Sequence, residues 1–182
     1  MNRIGNYIIT HSGRPFWPLD PRPEDVCIRD IAHALSQINR FGGHSRFPYS
    51  VAQHSYLCSL HAPDGYELEA LLHDATEAYC SDVVRPLKEA LPAYRDIERG
   101  IWANAIAPAF GLNYEISAPV HQIDTQMLVT EGRQLLAHGV AWWDQPHFPA
   151  PLDVQIRAMD PITAKMCFLR RYQELTGGEV AA

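Results

Sequence analysis

The stretch Leu71-Leu72-His73-Asp74-Ala75-Thr76-Glu77-Ala78-Tyr79 decides how this chain is built. Its leucines and alanines are strong helix formers, and Leu68, Leu71, Leu72, Ala75 and Ala78 recur at the spacing of one buried helix face. Three titratable residues interrupt that face. A helix predicted over about 66–79 thus carries an imidazole and two carboxylates toward a core, which is tolerable only if they are paired, hydrogen-bonded or bound to a metal. Neighbouring residues differ by about 100° around a helix, so His73 and Asp74 can flank one ion without competing for one position. Glu77 lies a turn further on the same side, able to reach that site without having to be a ligand.

Working outward, Ser50 is placed to cap a helix running to about 61. Val51, Leu57, Cys58 and Leu60 form its apolar stripe, His54 and His61 fall in line with it, and Pro63-Asp64-Gly65 ends it. Upstream, Val26, Ile28, Ile31, Ala32, Leu35 and Ile38 predict a helix over about 24–39, stopped by Gly42-Gly43. Residues 4–10 hold a short β-favourable run, and the Pro- and Gly-dense segment after it predicts a small hairpin or irregular cap over residues 1–23.

Downstream, Ser81-Asp82 and Pro86 mark a loop with a short helical turn. Pro92 suits the first turn of a helix through about Phe110, which Gly111 closes. A helix over about 117–138 has Val120, Ile123, Met127, Leu128 and Leu135 as its buried row. Residues 139–159 contain two tryptophans and several prolines without periodicity and read as a packed loop, before a last helix at about 160–175. The fold class is therefore all-α: a bundle of six or seven helices with a short N-terminal hairpin or cap, in one domain spanning 1–182.

Composition sets outer bounds. With 182 residues, 47% hydrophobic and 20% charged, the chain reads as one ordinary globular domain. A net charge of -6 without a Lys/Arg run argues against a duplex nucleic-acid surface. No apolar run is long enough to span a membrane and no signal core is evident, so a cytoplasmic protein is expected. Cys27, Cys58, Cys80 and Cys167 form no CxxC pair and read as reduced, mostly buried small side chains. Trp102, Trp142 and Trp143 are expected to be exposed aromatics that permit a dimer.

His54 repeats the peculiarity of His73 on the preceding helix, and Asp124 repeats it on the later one, a turn from Val120, Met127 and Leu128. Taken singly, each is more often a hydrogen-bonded core residue than a ligand, and an HD dipeptide alone is common by chance. Taken together, neutral imidazoles and hard carboxylates suit Mn, Fe, Co, Ni or Zn better than calcium, with positions left for water and substrate.

The segments Ile38-Asn39-Arg40-Phe41, Ser50-Val51-Ala52-Gln53-His54-Ser55, Leu72-His73-Asp74-Ala75-Thr76-Glu77, Asp82 with Arg85-Pro86-Leu87-Lys88, and Ile123-Asp124 resemble the HD-domain phosphohydrolases. The resemblance is to the small nucleotidase branch, which includes 5′-deoxynucleotidases and phage dATP triphosphohydrolases, and it covers roughly 25–135 in the order H…HD…D. It implies that His54, His73, Asp74 and Asp124 are metal ligands. It further implies that Glu77 positions or deprotonates the attacking water, that Arg40 binds phosphate, that Asp82 contacts the sugar hydroxyl and that Lys88 stands near the phosphate. Without it these residues have ordinary explanations: Arg40 as a cation at a helix C-terminus, Asp82 as a turn residue, Lys88 as a solvated charge. Phe41 stands where the deoxynucleotidases usually carry Trp, and the interval from Arg40 to His54 is shorter than theirs, which bears on base and sugar selectivity.

The activity implied is hydrolysis of the 5′-phosphate of a deoxynucleoside monophosphate by one divalent transition metal ion. Release of triphosphate from a deoxynucleoside triphosphate, with Mg as a possible ion, uses the same ligands. A cyclic-dinucleotide phosphodiesterase is disfavoured by the lack of a GYP motif after the HD pair. An HD-type diiron oxygenase would need further histidines such as His44 and His61. A noncatalytic nucleotide-binding module with a structural metal is the reading from a different class. The family tendency implies a homodimer.

Overall fold

The computed structural model describes residues 3–137 and 143–178. The architecture is all-α with an N-terminal hairpin. Strands β1 (Ile8–Ile9) and β2 (Pro15–Phe16) pair antiparallel, Ile8 opposite Phe16. Asp30, buried in the first helix, ties this hairpin down by accepting from Thr10 Oγ1, Ser12 N and Ser12 Oγ, each at 2.7 Å. The ring of Phe16 then stacks on Tyr79 at 3.8 Å, which makes the hairpin a lid on the core.

Helix α1 spans Ile28–Gln37, shorter at both ends than the periodicity predicted. A 3-10 turn at Pro23–Asp25 precedes it. Ile38 keeps its apolar contact but is extended, because Val51 N donates to Ile38 O (2.9 Å) and Arg40 N to Tyr49 O (2.9 Å), closing the 38–51 segment on itself. Within it, Phe41 and Gly42 adopt left-handed φ of 57° and 59°. Gly42-Gly43 therefore shape a tight turn rather than stop a helix.

Helix α2 (Val51–His61) is capped as expected, the Ser50 hydroxyl accepting from Gln53 N at 3.2 Å. It is no amphipathic surface helix, however. Helix α1 and the later helices at Glu67–Leu72, Ala118–Leu135 and Pro161–Thr176 all pack on it, so residues 51–55 and 57–59 are buried whatever their polarity. Leu60, expected in the stripe, is 46% exposed, and His61 is exposed with it at the helix end. Two apolar clusters flank this axis, one around Ile31, Leu71, Leu72 and Phe168, the other around Tyr49, Leu57, Met127 and Leu135.

The helix predicted over 66–79 is broken. Helix α3 covers Glu67–Leu72 and α4 covers Glu77–Cys80. Between them, Ala75 N bonds Leu72 O (2.8 Å) and Glu77 N bonds Asp74 O (3.0 Å), so the backbone tightens to three-residue turns across His73–Thr76. Helices α5 (Arg85–Ala90) and α6 (Pro92–Ile101) follow, the latter opening with Pro92 as expected. The predicted helix to Phe110 continues through a π-turn at Trp102–Ile106 into α7 (Ala107–Phe110). Pro108 gives a cause: it has no N–H for the helical ladder, and Ala107 N reaches back to Trp102 O instead. Gly111 closes α7 at φ 65°, as its position predicted.

Helix α8 (Ala118–Leu135) ends a few residues before the predicted boundary. Gly132 within it leaves room for the ring of Trp143, which stands where a Cβ would be. Residues 139–142 of the expected packed loop, Trp142 among them, lie outside the described residues. The remainder is stitched to α8 by Leu152 N to Thr130 Oγ1 (2.8 Å), Ile156 N to Gln134 Oε1 (2.9 Å) and Gln134 Nε2 to Val154 O (2.8 Å). Helix α9 (Pro161–Thr176) is capped by Asp160, which accepts from Thr163 N.

Two surface expectations need correction. Trp102 is only 5% exposed and donates its Nε1 to Asn113 O at 3.2 Å, and Trp143 is half-buried on Gly132. Of the four free cysteines only Cys58 is buried, the others being half-buried. Among the described residues no helix is long and apolar enough to cross a membrane.

Candidate functional site

Four side chains from three parts of the fold meet at one point. His54 comes from the middle of α2, His73 and Asp74 from the tightened turn after α3, and Asp124 from the second turn of α8. His54 Nε2 lies 3.2 Å from His73 Nε2, 3.2 Å from Asp124 Oδ1 and 3.5 Å from Asp74 Oδ2. His73 Nε2 lies 3.3 Å from Asp74 Oδ2 and 3.8 Å from Asp124 Oδ1. Bonds of about 2.0–2.2 Å to a common ion would set neighbouring donor atoms about 3.0–3.6 Å apart, and four of these five separations fall there.

The other ring nitrogens are already engaged. His73 Nδ1 stands 2.8 Å from the carbonyl of Ala70, which can only accept, so that nitrogen carries the proton. His54 Nδ1 stands 2.5 Å from Glu131 Oε1. In neutral imidazoles both Nε2 atoms then present lone pairs, facing each other across 3.2 Å beside two carboxylates. Acceptors crowded this closely, with Arg40 Nη1 donating to Asp74 Oδ2 at their edge, require a cation or bound protons.

The electrostatics agree. Burial pushes the His54 and His73 imidazoles toward neutrality, and Arg40 adds to this at His54, yet Cys58, Glu131 and Asp124 around His54, and Asp74 and Asp124 around His73, outweigh these and hold the two well above the usual histidine range. Burial would raise Asp74 and Asp124, but the two imidazoles, and Arg40 at Asp74, hold them below the usual carboxylate range. Without metal, the charged imidazoles stabilise the fold fully below their unfolded pKa of about 6.5, and this contribution is lost as pH rises through the elevated folded values. The depressed carboxylates act in the opposite sense, their contribution lost only as pH falls below about 4. We therefore expect the metal-free protein to lose thermal stability between neutral and alkaline pH, and added Co(II) to raise its melting temperature more at pH 8.5 than at pH 6. Paired thermal scans check this; a metal-induced shift that shrinks with rising pH contradicts it.

His54, Cys58 and His73 form a buried group that could hold a metal ion. Cys58 Sγ, one turn after His54, lies 3.6 Å from its Nε2 and 3.9 Å from its Nδ1. Being almost equidistant from both nitrogens, the thiol packs beside the ring, whereas the carboxylates of Asp74 and Asp124 gather at Nε2.

The other predicted residues surround this cluster. Arg40, half-buried, has its Nη1 3.3 Å from Asp74 Oδ2. Phe41 is half-buried, its ring centroid 5.6 Å from the Arg40 guanidinium carbon. Glu77 is buried with Oε1 3.7 Å from Lys88 Nζ, while its Oε2 has no protein partner. Burial, then the charges of Asp74 and Asp82, push the Glu77 carboxyl well above the usual range. Asp82, half-buried, is raised by burial and feels Arg40, Asp74, Lys88 and His54. Lys88 donates to Glu98 Oε1 at 2.7 Å and so bridges α5 and α6 rather than standing as a solvated charge. A cleft of about 630 Å³ opens here, its lining including His73, Asp74, Asp124, Lys88, Trp102 and Tyr114. His44 and His61 are exposed and join no ligand cluster among the described residues.

Sequence reasoning missed Glu131 and Tyr49. Glu131 is 0% exposed on α8, accepting from Tyr49 Oη (2.8 Å) and Arg40 Nε (3.1 Å) besides contacting His54. The available signal was its place in the buried row of α8, two turns after Asp124 and one after Met127.

The chain is similar to the protein YfdR of Escherichia coli K12, 41% identical over 172 residues, covering 94% of this chain and 96% of that protein. It is also similar to a protein of Rhodobacter capsulatus, 33% identical over 182 residues, covering 90% of this chain and 92% of the relative. Both relatives are called uncharacterized, and neither name states an activity. No family model matches the chain.

Proposed function

We propose that this chain, which belongs to the same family as Escherichia coli YfdR, is a divalent-metal-dependent phosphohydrolase that removes the 5′-phosphate of a deoxynucleoside monophosphate. The observation that carries the proposal is the convergence of two Nε2 lone pairs and two carboxylates on one point, with a half-buried arginine beside them. The resemblance of the motif segments to HD-domain phosphohydrolases supports the same reaction class.

His54, His73, Asp74 and Asp124 would hold the ion, and their mixture of nitrogen and oxygen donors suits Mn, Co, Ni, Fe or Zn. When bound, such an ion supplies Lewis acidity to a phosphoryl oxygen and brings the pKa of water toward neutrality. Arg40, held by Glu131 and Asp74, offers a planar fork of donors that matches phosphate oxygens and offsets charge growing on them. Glu77 Oε2, buried and without a protein partner, can orient a water and take its proton. The raised Glu77 carboxyl suits this, since proton transfer is most effective when the carrier's pKa lies near the working pH.

The cleft volume lies within the roughly 300–1,000 Å³ usual for small-molecule sites. Tyr114 in its lining, an exposed aromatic, can stack on a base. Among the described residues, the Lys and Arg side chains that line it are Lys88 and Arg99, each already paired with carboxylates, Lys88 with Glu77 and Glu98 and Arg99 with Asp96. That balance favours a substrate with one phosphate over three.

The test is a panel of deoxynucleoside mono-, di- and triphosphates with Mn, Co, Ni, Mg and Zn, identifying the phosphate species released. Orthophosphate from monophosphates, abolished by chelator, is expected. Release of triphosphate would make the protein a triphosphohydrolase. Tight nucleotide binding without turnover across the panel would make it a binding module.

A further inference from the structure

We propose that Glu131 is a positioning residue that orients His54 and Arg40 together, so that one buried carboxylate sets both a metal ligand and the phosphate-binding arginine. The part concerning Arg40 rests on the phosphohydrolase reading; the part concerning His54 requires only that the cluster holds a metal.

Both oxygens of Glu131 are used, and for different purposes. Oε1 accepts from His54 Nδ1 at 2.5 Å and from Tyr49 Oη at 2.8 Å, and Oε2 accepts from Arg40 Nε at 3.1 Å. A wholly buried carboxylate gives up its hydration, which three donors on two oxygens offset. Against burial, Arg40 first and then His54 and Tyr49 hold it ionised, below the usual carboxylate range.

The backbone makes the arrangement rigid. Asp124 and Glu131 lie seven residues apart on α8, two turns along the same face. Asp124 Oδ1 meets His54 Nε2 at 3.2 Å while Glu131 meets Nδ1, so the imidazole of α2 is held at both nitrogens by carboxylates of a single helix. A proton fixed on Nδ1 leaves Nε2 as the donor atom. Carboxylate–imidazole pairs of this kind raise ligand basicity and fix ring orientation, and their loss typically costs about 10–100-fold in metal affinity. At the other oxygen, the Arg40 guanidinium is engaged at Nε by Glu131 and at Nη1 by Asp74, fixing its plane beside the cluster.

Glu131→Gln separates positioning from packing. The amide keeps the volume but offers one acceptor oxygen where the carboxylate offers two, and its NH2 would face a donor. Calorimetric titration with Co(II) is expected to show affinity about 10–100-fold below wild type. The visible spectrum of the cobalt protein should change, and inorganic phosphate should bind it more weakly. A folded Glu131→Gln protein with wild-type Co(II) affinity and spectrum would overturn the inference while leaving the hydrolase reading intact. A wild-type protein that takes up no Co(II) would overturn both. If Glu131→Gln does not fold, ¹⁵N NMR of zinc-loaded wild type decides: His54 protonated at Nδ1 with Nε2 on the metal is expected, and the opposite arrangement overturns the inference.

Discussion

Replacing His73 with alanine is expected to empty the metal site and abolish turnover together. The His73 ring is buried and pinned by Ala70 O at 2.8 Å, so its Nε2 has one direction available. That direction brings it within 3.2–3.8 Å of His54 Nε2, Asp74 Oδ2 and Asp124 Oδ1. Alanine removes one donor of four and leaves two carboxylates facing a single imidazole. Losses from outer-shell partners are about 10–100-fold in affinity, and a direct ligand should cost more, beyond retention through gel filtration. Asp74→Ala should match it, and should also release Arg40 Nη1 from its 3.3 Å contact. Metal content measured beside activity is the check; an alanine variant at either position that keeps stoichiometric metal and wild-type turnover removes the proposed centre.

Glu77→Ala should behave in the opposite way, with metal retained and rate lost. Glu77 approaches the site from α4, after the turn that carries His73 and Asp74, and none of the close contacts among the four clustered groups involves it. Its buried Oε2 has no protein partner, and its carboxyl is raised by burial and by Asp74 and Asp82. A positioned acid or base typically contributes about 10²–10⁴-fold, and the drop should fall in that range. Because the raised carboxyl ionises above the usual range, the acidic limb of the wild-type rate profile should lie above the ordinary carboxylate region and disappear in the variant. Normal turnover by a metal-loaded Glu77→Ala protein would assign the proton transfer elsewhere.

Much of this was legible in the chain itself. Helix periodicity, Ser50 as a cap, Pro92 as a first-turn residue and Gly111 as a C-terminal stop are local signals, and each reappears in the structure. His54, His73, Asp74 and Asp124 stood out because a polar group on a buried face is costly wherever that face packs. Signals of this kind need only the neighbours one turn away.

What failed was whatever depended on distant partners. The helix over 66–79 breaks at His73–Thr76, and α2 is buried at residues 51–55 and 57–59 because four helices pack on it. Pro108 was visible, but the π-turn it accompanies at Trp102 was not. Glu131 passed as one charged residue in a long helix. Only the folded chain brings Tyr49, His54 and Arg40, residues 77 to 91 positions away, onto its two oxygens. The sequence by itself determined that this is a helical protein with polar groups turned inward. Tertiary structure decided which of those groups share a point in space, because hydrogen bonds across such separations are set by how helices cross and not by the residues within either one.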